Sequence, residues 1–101
     1  MTEPLFVFTA QGVAEAATGY RPGARHALLI FARSATGDAA EARALDFVSG
    51  QGWSHAELLR GKEIGSDPSS IADPQLRAAA ETARENGAGF VVYSDEIPAD
   101  S

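Results

Sequence analysis

Two segments of the chain carry apolar residues on both alternating sets of positions, and they set the architecture. Leu5 to Thr9 (LFVFT) is β-branched and aromatic on both alternating sets of positions, the pattern of an internal strand. His26 to Arg33 (HALLIFAR) is stronger: Leu28, Ile30 and Ala32 fill one face while Leu29 and Phe31 fill the other, so the strand must be covered on both sides. Between them, Gln11 to Tyr20 reads two ways. Val13, Glu15 and Ala17 alternate as in a strand, while the alanines would accept a short helix. Arg21-Pro22-Gly23-Ala24 favours the strand, because Pro22 presets φ for the first central position of a type II turn and Gly23 supplies the positive φ of the second. A long hairpin joining the first two strands is therefore expected.

From Asp38 the period becomes helical. Asp38 and Glu41 have the spacing of a capping box, Ala40, Ala44, Phe47 and Val48 recur on one helical face, and Gly50 stands where a helix stops, which predicts a helix over 39–49. Trp53 to Leu59 resumes a strand, more polar than the others, and continues either as one extended strand or as a tight reversal through Arg60-Gly61-Lys62 toward Ile64. After a loop at Asp67 to Ser70, Asp73-Pro74 gives a capping carboxylate followed by proline at the first helical position. The inner stripe of this second helix is Leu76, Ala79, Ala80 and Ala83, and Asn86-Gly87 ends it. A last strand, Gly89 to Tyr93, is again apolar on both faces, and residues 94–101 are expected to form a flexible acidic tail on a single domain spanning 1–101.

The order of elements predicts an α+β fold with a four- or five-stranded mixed sheet and two helices. If residues 56–66 form a hairpin, the stretch from 26 to 93 reads βαββαβ and resembles the ferredoxin-like split βαβ arrangement, a two-layer sandwich with both helices on one face, preceded here by an N-terminal hairpin. The resemblance is architectural, and no functional residue carries over with it. If residues 56–66 form one strand, a small α/β sheet with one helix on each face is the alternative. The two-layer reading leaves an apolar sheet face open, formed by Phe6, Phe8, Phe31, Phe90 and Val92, and a homodimer closed through that face is the expected solution.

Composition narrows the function classes. The chain has no cysteine, which removes disulfides, thiolate metal sites and cysteine nucleophiles. With 14 acidic against 8 basic residues the formal charge is −6, which disfavours nucleic acid and suits a basic protein partner, as an acidic inhibitor or immunity protein would have. The apolar run from Ala27 to Ala32 is too short to cross a membrane and no charged leader with an apolar centre opens the chain, so a cytoplasmic location is expected.

Candidate chemistry concentrates in Ser49 to Glu57 (SGQGWSHAE), which holds the only tryptophan and one of two histidines. Strict alternation would put Trp53, His55 and Glu57 on one face, with His55 as general base beside Glu57 and Trp53, with Arg60, walling a ligand pocket. The competing reading is a polar sheet edge, because charged residues discourage edge pairing. Gly50-Gln51-Gly52 follows a helix rather than preceding one, so it reads as a C-cap and turn, not a phosphate loop. His26 and His55 lack metal-ligand spacing, and His26 reads as a strand-end residue with a satisfied ring. No metal or cofactor is expected. The leading expectation is a non-catalytic module that self-associates or binds a protein, with a small His55/Glu57 enzyme or ligand-binding protein as the alternative.

Overall fold

The computed structural model describes residues 3–97. Strand β1 (Leu5–Ala14) leads through a short 3-10 turn into β2 (Arg25–Arg33), followed by helix α1 (Gly37–Gly50), strand β3 (Trp53–Gly65), a second 3-10 turn at Pro68–Ser70, helix α2 (Pro74–Asn86) and strand β4 (Ala88–Glu96). The four strands form one sheet in the order β3-β1-β2-β4, and every neighbouring pair is antiparallel. The expected mixed sheet is therefore corrected. Strands β2 and β3, joined by α1, do run in the same direction, but β1 lies between them, so no parallel pair forms.

Residue parity explains the layers. Phe6, Phe8 and Ala10 of β1 and Leu28, Ile30 and Ala32 of β2 pack in one cluster with Ala40, Ala44 and Val48 of α1. Leu5 and Phe31 pack with Val91 and with Ala79, Ala80 and Ala83 of α2, and Val7 and Leu29 join them. Alternate residues of a strand point to opposite faces, so α1 and α2 lie on opposite sides of the sheet. This is the geometry of one helix per face, in three layers, and it departs from the two-layer split βαβ reading, in which both helices share a face. The cause is β3, which runs on as one strand rather than reversing at Arg60-Gly61-Lys62. The chain therefore enters α2 from the far end of that strand.

Both helices present alanine to the sheet, and alanine permits close approach. On the α2 side the approach is closest at Gly89, where a Cβ would overlap the Ala79 carbonyl oxygen. The helix ends follow local rules with one shift of position. Asp73 caps α2, its Oδ1 accepting from the N–H of Gln75 at 2.8 Å and of Leu76 at 3.2 Å. Helix α1 is capped by Thr36, whose Oγ1 accepts from Ala39 N at 3.2 Å, so Asp38 lies in the first turn and the expected Asp38/Glu41 capping box does not form. Threonine is a favoured cap, though ranked below aspartate, and taking it adds two residues to the helix start relative to 39.

The far end of the sheet is tied by an ion pair. Strand β4 continues to Glu96 instead of fraying from Ser94, and Glu96 accepts from Arg21 Nη2 at 2.6 Å and Nε at 3.0 Å. The rest of the expected acidic tail, 98–101, lies outside the described residues. The Arg21 guanidinium, through its hydrogen bond first and its charge second, holds the Glu96 carboxyl below the usual glutamate range.

Three outcomes follow. Gly89→Ala should lower stability in urea unfolding by about 1 to 3 kcal/mol, because helix backbone has to move, whereas Gly50→Ala, with open space at its Cβ, should be neutral or stabilising. In an NMR titration the Glu96 midpoint should rise toward the ordinary glutamate value in Arg21→Ala. A depressed carboxyl stabilises the fold above its unfolded-state value and loses that contribution as pH falls through the folded value; at this exposed site the effect on stability should be small.

Candidate functional site

The geometry of β3 decides the fate of the SGQGWSHAE segment. Its thirteen residues pair with ten of β1, and three register shifts absorb the difference. Opposed residues in an antiparallel pair share a face. Ala14, Ala10, Phe8 and Phe6, all on the α1 side, face Trp53, Leu58, Gly61 and Glu63. Val13, Gln11, Thr9 and Val7, on the α2 side, face Ser54, Glu57, Arg60 and Lys62. Ala56 packs into the α1-side cluster as well. The α1 face of β3 thus reads 53, 56, 58, 61, 63, a spacing that no alternating pattern reveals.

The first shift lies between Ser54 and Glu57, where His55 adopts a left-handed backbone with φ 51°. An extra residue in the left-handed region is the signature of a β-bulge, a position glycine usually occupies. Its effect is to turn Trp53 and Glu57 onto opposite faces. Trp53 is 2 % exposed and packs inside the α1-side cluster, while His55 and Glu57 are exposed. The expected pocket with Trp53 as its wall beside a His55/Glu57 pair is therefore corrected, and Arg60, opposite Thr9, lies on the face away from Trp53.

The aromatic company of Trp53 is instead Tyr20 and His26. The three ring centroids lie 4.7 Å (Tyr20 to His26), 5.6 Å (His26 to Trp53) and 5.8 Å (Tyr20 to Trp53) apart. His26 is 1 % exposed, and its Nδ1 is 2.9 Å from the Tyr93 carbonyl oxygen. A carbonyl only accepts, so Nδ1 carries the hydrogen and donates it. Nε2 is buried without a partner among the described residues, which corrects the expectation of a satisfied ring. Tyr20 and Trp53 lie against the ring itself, so the corner works as aromatic packing that closes the β1–β2 end of the sheet.

The residues expected at a dimer face are divided between the two layers. Phe6 and Phe8 are buried under α1 and Phe31 under α2, while Phe90 and Val92 pack against the α1-side cluster, Phe90 edge-on to Phe47 at 5.3 Å. The chain's own helices cover what a sister chain was expected to cover.

Among the described residues the sheet has two outer edges, β3 and β4, and a groove lies beside the first. The strand ends the sheet, Leu59 to Glu63 are all exposed, and Leu59 is 50 % exposed. Leu59 is the extra residue of a second shift, between Arg60 opposite Thr9 and Leu58 opposite Ala10, so it has no register partner on β1. Beside this edge, between β3 and the first turns of α1, lies a groove of about 320 Å³. Phe6, Phe8 and Leu58 give it an apolar floor, and two carboxylates, Glu41 and Glu63, and two basic groups, Arg60 and Lys62, stand at its border. Gly61 is required there, since a Cβ would come within 2.6 Å of the Phe8 ring. No linear spacing relates Glu41 to Glu63, and the sequence reading missed both. The one available signal was the glycine that interrupts a charged strand. Among the described residues no group of three His, Asp or Glu residues could hold a metal ion, and no helix is long and apolar enough to cross a membrane.

A structural role for His55 has a sign that a catalytic role does not. Glycine tolerates the left-handed backbone, so His55→Gly should raise stability by about 1 kcal/mol, and His55→Val should lower it by a similar amount, both read from thermal unfolding. Loss of stability in His55→Gly would show that the imidazole makes an interaction of its own. In comparisons with known proteins, no family model, no curated protein and no solved structure matches this chain.

Proposed function

We propose that this domain is a non-catalytic protein-interaction module that receives an extended polypeptide segment along the outer edge of β3. The observation that carries the reading is the combination of a thirteen-residue strand whose outer edge has no partner among the described residues with an apolar-floored groove running beside it. Unpaired main-chain N–H and C=O groups supply affinity to an added strand, and a groove on one face supplies selectivity for every second side chain. The separation of Trp53 from His55 and Glu57 takes away the pocket that an enzymatic reading required. Burial of Phe6, Phe8 and Phe31 likewise moves the available contact surface from the sheet face to the sheet edge.

Selection of random peptides against the immobilised domain should enrich extended binders. Leu59→Pro should weaken their binding by about tenfold, because proline at an unpaired bulge residue spares the β1 ladder but constrains the outer edge. His55→Ala should bind as the unaltered domain does. Absence of enriched peptides, or binders indifferent to Leu59→Pro in a variant whose amide spectrum shows β1 still paired, would overturn the reading.

A further inference from the structure

The extra residue Leu59 restricts what fits the outer edge of β3. Around it, Ala56, Leu58, Gly61 and Glu63 belong to the α1 side and Glu57, Arg60 and Lys62 to the α2 side. Residues opposed in an antiparallel pair share a face. A regularly alternating strand keeps that match along 56–63 only by leaving Leu59 unopposed, as β1 does. A second copy of β3 carries the same extra residue and leaves nothing unopposed. With a two-fold axis perpendicular to the sheet between Leu59 and Arg60, Ala56 stands opposite the partner's Glu63, Glu57 opposite the partner's Lys62, and Leu58 opposite the partner's Gly61. Each of these pairs shares a face.

Charge selects the same register. The axis forms the Glu57–Lys62 pair twice, with opposite signs facing. Moving it to Glu57 or to Lys62 sets that residue against itself, and moving it to Gly61 sets Arg60 against Lys62. Leu59, the most exposed of the large apolar residues described, adjoins the axis and its own copy. The groove, bordered by Glu41 and Glu63 and by Arg60 and Lys62, favours neither sign of charge, and a second copy brings both. We propose that the segment received at this edge is β3 of a second copy of this chain, in an antiparallel pair centred between Leu59 and Arg60 that joins the two sheets into one. The proposal rests on the edge-docking reading and names its partner. Such a dimer differs from one closed through a sheet face, because α1 and α2 already cover both faces.

Sedimentation equilibrium from about 10 μM to about 1 mM should show a reversible dimer, since so short an edge buries little area. Amide shifts that depend on concentration should fall at residues 56–63. Glu57 and Lys62 are both exposed, so Glu57→Lys and Lys62→Glu should fold normally. Each sets like charges at both pairs and should raise the dissociation constant about tenfold. An equimolar mixture of the two variants restores opposite charges at both pairs and should associate about as tightly as the unaltered domain. A monomer throughout this range that still binds peptides at the β3 edge would overturn the second copy as partner while leaving edge docking in place. A dimer whose amide shifts lie elsewhere would overturn it too, as would a mixture no tighter than either variant alone. If neither a second copy nor a peptide moves the β3 amides, edge docking fails and the proposed partner fails with it.

Discussion

The paired central strands β1 and β2 are apolar on both faces, and the rest of the structure follows from covering both. Each face receives one helix, and each helix meets the sheet through alanine: Ala40 and Ala44, with Val48, on one side, and Ala79, Ala80 and Ala83 on the other. Alanine buries little area, so the large apolar side chains come from the strands. Leu5, Leu28, Ile30, Phe31 and Trp53, each removed from water, contribute roughly 1.5 to 3 kcal/mol apiece. The small helix residues let these side chains reach solid packing on both sides, and at Gly89 the approach leaves no room even for a methyl group.

The same constraint shapes β3. Its outer position leaves it with β1 as its single strand neighbour among the described residues, and it must turn Trp53, Ala56 and Leu58 into the α1-side cluster. Three register shifts along its length make that possible, at the cost of the regular alternation that an edge strand normally shows. Bulges are also a protection against indiscriminate edge pairing. On β3 they coexist with an apolar-floored groove, a feature that a merely defended edge does not require.

Much of this architecture was legible in the residues because the relevant forces are local. The Arg21 to Ala24 turn closes with Ala24 N–H on the Arg21 carbonyl at 3.0 Å, Asp73 caps α2, and Gly87 ends it, each dictated by backbone preferences within a few positions. The two-sided strands and the inner stripe of α2 were equally plain. The candidate site was not legible. Trp53, His55 and Glu57 share a face only under an unbroken period of two, and a single extra residue reverses the face of everything beyond it. Bulges leave little trace in sequence when histidine, rather than glycine, takes the left-handed position.

By itself, then, the sequence determined where the two helices lie and end, that the central segments are strands, and that those strands need cover on two sides. Those properties depend on steric preferences and on the apolar character of each residue. Tertiary structure alone decided that the helices lie on opposite faces, that β1 separates β2 from β3, and that Glu41 and Glu63 border one groove. Each of these depends on pairing register between segments far apart in the chain, where a shift of one position changes the face but scarcely changes local preference.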